Sequence, residues 1–153
     1  MSSRLFQSIR EERCLAYSIY AELNPFRDTG SLAIYAGCSA DNTRQVLDLT
    51  LAELTRLKRE PVTDEELHRA KSQIKGNMVL GLETSGSRMS SLARQQMYWG
   101  RFFSLDEITA EINRVTVDDI QHLANDLFHP EFLALTLLGN LGPLKLTRAD
   151  LAC

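Results

Sequence analysis

Two arginines and a tyrosine near the start of the chain are the residues best suited to chemistry by type and spacing. Arg10 and Arg13 precede Tyr17 by seven and four residues. A guanidinium donates charge-assisted hydrogen bonds, and a phenol donates from its hydroxyl. The same spacing also suits a structural role, with cations near a helix C-terminus and a strand tyrosine packed in the core. The spacing alone leaves both interpretations open.

Nucleophilic chemistry finds less support. Cys14 stands beside the two arginines, which could activate a thiol, but no His or Asn pattern completes a catalytic site. The chain also lacks a G-x-S-x-G sequence. With Cys38 and Cys153 the cysteine count is odd and without a spacing pattern, which predicts reduced thiols.

A helix that leads into a strand must position these side chains. Apolar residues recur at helical spacing over residues 5–13, with Ser2 or Ser3 as an N-cap. The period then changes to two, which predicts a strand in which Tyr17 and Ile19 share a face.

The remaining elements predict an α+β fold, a small antiparallel sheet with helices packed on one face. A turn-rich connector over residues 22–30 and a second alternating strand predict a hairpin. Residues 132–138 are almost continuously apolar and predict a third strand, buried on both faces. One helix is predicted to start at Asp41 or Thr43 and to end near Arg59. Three more are predicted to start at the capping boxes 63–66, 104–107 and 116–119. The helix that starts at 63–66 is interrupted at 84–87 and ends at Gly100.

Composition bounds the function classes. The chain has 153 residues, enough for one domain (1–153), and its net charge of −3 argues against a nucleic-acid partner. No apolar run approaches the roughly 18 residues of a membrane helix, and the start does not read as a signal peptide. We therefore expect no membrane partner, and the compartment stays open between a cytoplasmic and a periplasmic parent.

The first twenty residues resemble the second-domain signature of the pitrilysin/insulinase (inverzincin) family of zinc metallopeptidases, which includes mitochondrial processing peptidase. The signature reads roughly S-S-R-L-F-x-x-I-R-E-x-R-G-L-A-Y-S. The chain matches it at residues 2–6, 9–11, 13 and 15–18, and the resemblance continues through residues 65–67, 70–71, 82–83, 90, 92–93, 115–120 and 138–139. Cys14 departs from it, because the family usually has Gly there; in a left-handed turn a cysteine costs roughly 1 kcal/mol.

The resemblance implies a C-terminal, zinc-less domain with a LuxS/MPP-like two-layer sandwich. A complete domain of this family begins with a further strand and helix, so we expect a fragment of a longer chain that lacks both. The alternative is that a partner supplies the missing edge. The family's zinc motif, H-x-x-E-H, places two histidines four residues apart on one helix face. His68, His122 and His129 have no such spacing. We therefore expect no metal site here and zinc only in the parent protein or a partner subunit.

The resemblance also implies a substrate-binding role for Arg10 and Tyr17. In the family, an Arg and a Tyr at these positions reach across to the catalytic domain. A guanidinium can donate to a peptide carbonyl and a phenol to the oxyanion of a tetrahedral intermediate. The structural interpretation of the pair remains the alternative.

The expected function is therefore that of the substrate-binding, chamber-forming domain of a zinc-dependent metalloendopeptidase, with no activity by itself. Its partners would be a peptide or unfolded polypeptide and a zinc-bearing homologous domain or subunit. A catalytically inactive scaffold or assembly subunit of the same family is the alternative. A homodimer through an exposed sheet edge is a third.

Overall fold

The computed structural model describes residues 3–153, so the alternative N-cap Ser2 lies outside it. The chain forms two compact units. The first takes in the chain up to Glu60 and again from His122 to Cys153, and the second is Pro61–Gln121. The α+β class is confirmed. The elements in chain order are a π-helix (Phe6–Glu11), β1 (Ala16–Pro25), β2 (Gly30–Cys38), a 3-10 turn (Ala40–Asn42), α1 (Thr43–Arg59), α2 (Asp64–Gly81), α3 (Ser85–Trp99), α4 (Leu105–Arg114), α5 (Val117–Leu127) and 3-10 turns at Pro130–Phe132 and Arg148–Leu151.

The predicted hairpin is confirmed in the first unit. β1 and β2 pair antiparallel, with Ile19 opposite Ala36 and Tyr20 opposite Tyr35. The connecting loop is shorter than predicted, four residues closed by a bond from the Phe26 amide to the Thr29 carbonyl (2.9 Å). Both strands therefore extend into residues 22–30, which the sequence predicted to be a connector.

Helix α1 holds the first unit together because it contributes to two apolar clusters. Its Val46 packs with Ile9, Ala16 and Ile19, the buried residues of the π-helix and β1. About two turns further along α1, Leu54 packs with Ala124 from the end of α5 and with Phe128, which follows that helix. The prediction of its N-cap was wrong: the N-cap position is Asn42, and its side-chain amide donates to the Leu15 carbonyl instead (3.2 Å).

The prediction of a third strand was also wrong. Residues 133–138 form no regular secondary structure and belong to no ladder, and within residues 3–153 the sheet consists of β1 and β2. Together with β2 and α1 they line an apolar cavity of about 340 Å³, and Leu138 is fully exposed. An apolar run predicts burial, whereas a strand also needs a neighbouring backbone to pair with, which this segment does not have among the described residues.

The second unit consists of helices with well-formed ends. Thr63 and Thr84 cap α2 and α3 by accepting from the amides three residues on, and Ser104 forms a full capping box with Glu107. Gly100 ends α3 with φ 67°, a left-handed conformation that glycine adopts without strain. The stop at Gly100 is thus confirmed, and the predicted interruption exists but lies at residues 82–84 instead of 84–87.

No helix among the described residues combines the length and the apolar character needed to cross a bilayer.

Candidate functional site

A π-helical turn presents Arg10. The amide of Glu12 donates to the carbonyl of Gln7 (2.9 Å), five residues back, and the wider turn ends with bonds from Cys14 to Arg10 (3.0 Å) and from Leu15 to Ile9 (3.0 Å). Ile9 is completely buried and anchors this turn, whereas Arg10 is exposed. The sequence predicted an ordinary helix; π turns are rare and occur often at functional sites.

Cys14 carries the left-handed turn between helix and strand. Its φ is 53°, and it is the only residue other than glycine with positive φ in the described part of the chain. Glycine would adopt this conformation without the Cβ conflict. The departure from the family signature at this position has therefore not removed the left-handed turn.

Tyr17 occupies a β-bulge. Ala16 pairs with Cys38 and Ser18 with Gly37, so that Tyr17 is the extra residue of β1. It is 76% exposed, whereas Ile19 is 4% exposed, so the prediction that the two share a face was wrong. The extra residue resets the alternation of the strand, and bulges commonly re-aim a side chain in this way.

The donors of Arg10 and Tyr17 are uncommitted. The Arg10 guanidinium lies over the Phe6 ring at 4.9 Å, and in the described part of the chain neither side chain makes a hydrogen bond or an ion pair. Arg13 differs, because its Nη1 donates to the Ser8 carbonyl (2.5 Å) and to Glu12 (3.1 Å). At this junction the donors of Arg13 are therefore occupied by hydrogen bonds, whereas those of Arg10 can bind another molecule. No bond or ring contact joins Arg10 to Tyr17.

An aromatic pair on the hairpin was missed from the sequence. The rings of Tyr20 and Tyr35 stack with centroids 5.1 Å apart, and both are about half exposed. A Cβ at Gly37 would lie 3.1 Å from the Ser18 hydroxyl and 3.5 Å from that of Tyr35, so glycine leaves room for this arrangement. The loop length was the signal, because a four-residue loop at 26–29 brings Tyr20 opposite Tyr35.

The described residues do not provide a metal site. Among residues 3–153 no group of three or more His, Cys, Asp or Glu side chains is arranged to hold a metal ion. His68 lies on α2 and His122 on α5, while His129 packs edge-on against Phe132 at 5.8 Å. The donor set therefore does not fit zinc.

Curated proteins that are similar to this chain are named zinc proteases. The chain is 39% identical over 145 residues to an uncharacterized zinc protease of Streptomyces coelicolor and 39% identical over 142 residues to one of Bacillus subtilis. These alignments cover 95% and 93% of the chain but 31% and 34% of the relatives. The chain thus spans about a third of the length of the relatives it matches.

The family and two solved structures agree with this class. Residues 1–74, which include the junction, match the family described as the peptidase M16 inactive domain. A chain of complex III2 from Candida albicans superposes with a TM-score of 0.75 at 25% identity, over 84% of this chain and 31% of that one. A conserved protein from Enterococcus faecalis gives 0.72 at 27% identity, over 80% and 28%. The resemblance predicted from the sequence is confirmed.

Proposed function

We propose that this chain is the substrate-binding, chamber-forming domain of a zinc-dependent metalloendopeptidase, with Arg10 and Tyr17 as its substrate contacts. The observation that carries the proposal is the state of these two side chains, exposed at one junction with donors that nothing among residues 3–153 occupies. The zinc ion belongs to another domain of the parent protein or to a partner subunit. The chain alone neither binds the metal nor cleaves peptides.

Arg10 would bind the peptide backbone. A guanidinium that lies against an aromatic ring keeps its edge N–H groups directed outward, and these groups donate to a peptide carbonyl of the substrate. The stacking on Phe6 limits the side chain's freedom, so less entropy is lost on binding. Its contribution would appear mainly in substrate affinity.

Tyr17 would act on the transition state. Its hydroxyl is a neutral donor on a strand whose bulge directs it to solvent, and it can donate to the oxyanion that develops during peptide hydrolysis. The bulge fixes the position of the backbone while the phenol remains free. Such a donor affects kcat more than KM.

The proposal is tested by mixing this chain with the zinc-bearing part of the Bacillus subtilis relative that lies outside the matched segment, and measuring hydrolysis of a fluorogenic peptide library. Activity is expected in the mixture and not with this chain alone. Tyr17→Phe should lower kcat about 100-fold or more, as for loss of an oxyanion donor. Arg10→Ala should lower kcat/KM about 10-fold or more, because charge-assisted hydrogen bonds contribute about 1.5–3 kcal/mol.

Matched controls use the same residue types elsewhere. Tyr98→Phe on α3 and Arg69→Ala, whose partner Glu65 is on the same helix (3.1 Å), should leave the kinetic constants unchanged. If the Arg10 and Tyr17 variants behave like these controls in an active mixture, the assignment of the pair is wrong.

The second candidate is an inactive assembly subunit of the same family. The observation in its favour is that one solved neighbour is a chain of complex III2, a multisubunit assembly. In that case the mixture forms a stable complex by size-exclusion chromatography but remains inactive although the partner holds zinc.

A further inference from the structure

The second unit contains a cavity that is separate from the Arg10–Tyr17 junction. It measures about 750 Å³ and is lined by residues from the end of α2, from α3 as far as Gln95, and from residues 103–108. This size falls within the range of small-ligand pockets. Its apolar lining residues are Met78, Leu82, Leu92, Phe103, Leu105 and Ile108.

The charged side chains that line this cavity are both cationic. Arg88 donates from Nε to the Leu82 carbonyl (2.7 Å), which directs its side chain along the α2–α3 turn and leaves both terminal nitrogens available. Arg94 makes no hydrogen bond or ion pair among the described residues. No Asp or Glu among residues 3–153 lines the cavity, although the whole chain has a net charge of −3. The local charge is therefore complementary to an anion.

Hydrogen bonds hold part of the cavity wall in place without a ligand. Gln95 accepts from the Phe103 amide (2.7 Å) and donates to the Ser91 hydroxyl (3.3 Å), so one side chain ties α3 to the segment after it. The side of the cavity lined by Gly81 and Gly86, its mouth, is open, because a Cβ at either glycine would meet nothing within 4 Å beyond its own chain neighbours and helix backbone. The cavity thus combines an apolar floor, two arginines and hydroxyl groups with free access.

We propose that this cavity binds the C-terminal carboxylate of a peptide whose last side chain is apolar. The carboxylate would accept from Arg94 and from the terminal nitrogens of Arg88. The last side chain would lie on the apolar floor, and the hydroxyls of Ser90 and Ser91 would pair with the final peptide group. An acyl chain with the same carboxylate has no backbone for these hydroxyls, which favours a peptide over a fatty acid.

The test is fluorescence anisotropy with the whole 153-residue chain and an N-terminally labelled hexapeptide that ends in leucine. The free-acid peptide should bind, and C-terminal amidation should weaken binding at least 10-fold. Arg94→Gln should weaken it to a similar degree, whereas Arg69→Gln on α2, outside the cavity, should not change it. Unlabelled laurate should compete more weakly than the unlabelled free-acid peptide.

A second variant tests the location. Gly86→Leu adds a side chain at an open helical position, so it should preserve the circular dichroism spectrum while blocking the mouth and weakening binding at least 10-fold. Three results would overturn the proposal. The amidated peptide could bind as tightly as the free acid, Arg94→Gln could bind the peptide as tightly as Arg69→Gln, or Gly86→Leu could bind it as tightly as wild type. Stronger competition by laurate would overturn it in favour of a fatty acid.

Discussion

The left-handed conformation of Cys14 reduces the stability of the folded chain, because its Cβ conflicts with the backbone there. We expect Cys14→Gly to stabilise the chain by up to about 1 kcal/mol, because relief of the Cβ conflict outweighs the greater entropy of glycine in the unfolded state. The measurement is the urea unfolding midpoint. Cys14→Ala is the matched control, since it keeps the Cβ and removes only the thiol. Equal stabilisation by both variants would show that the thiol, and not the backbone, is the source.

Asp150 should make stability depend on pH in the acid range. The amide (2.8 Å) and hydroxyl (2.8 Å) of Thr147 and the Arg44 guanidinium (2.7 Å) lower the pKa of Asp150 to about 2. The unfolded carboxyl titrates near about 3.9. Because the folded pKa is the lower one, the stabilisation is fully present above about pH 5 and is lost as the pH falls toward about 2.

The measurement is the free energy of unfolding against pH for wild type and Asp150→Asn. The difference between them should be constant above about pH 5 and shrink as the pH falls to about 2. Arg44→Gln keeps both threonine bonds, which include the largest cause of the lowered pKa, and should retain most of this dependence. A difference that does not change with pH would contradict the assignment.

At the scale of the element, the capping box of α4 can be tested directly. Ser104 accepts from the Glu107 amide (3.1 Å), and Glu107 accepts from the Ser104 amide (2.7 Å). Ser104→Ala should destabilise α4 by about 1 kcal/mol, seen as a loss of helical chemical shifts over Leu105–Arg114. Ser72→Ala, at an exposed position inside α2, should instead favour its helix by a few tenths of a kcal/mol. If both variants change α4 alike, the capping box does not stabilise it.

The elements predicted correctly from the sequence are those whose signals are local. The hairpin, the capping boxes at 104–107 and 116–119 and the stop at Gly100 each depend on residues a few positions apart, and they are present, whereas at 63–66 the structure shows the Thr63 cap alone. The π turn and the bulge at Tyr17 were not predicted, because each adds one residue to a regular repeat without a distinctive residue type. The prediction of a strand at residues 132–138 was wrong for the opposite reason, because a strand depends on a partner distant in sequence.

The same division applies to the candidate sites. The signature selected Arg10 and Tyr17, but it could not show that the donors of Arg13 are occupied, because this depends on hydrogen bonds to Ser8 and Glu12. The cavity of the second unit has no sequence signal at all. Its residues come from helices and a segment that only the tertiary fold brings together.

At the scale of the whole molecule, the two units differ in how much they bury. Buried hydrophobic residues of the described chain all belong to the first unit, and α2, α3 and α4 contain none. We expect backbone amides of α2–α4 to exchange with deuterium faster than those of β1, β2 and α1, because local opening there exposes little further apolar surface. Peptide-resolved exchange mass spectrometry measures this, and equal protection of the two sets would contradict it.

The apolar segment at residues 133–138 has a consequence for handling the chain. It is apolar, uncharged and free of proline, and its backbone makes no ladder among the described residues. Segments of this composition stack readily into fibrils when many copies are concentrated. A lysine in place of the exposed Thr136 would act as a gatekeeper against such stacking, and it would do so without touching the residues of either proposed binding site.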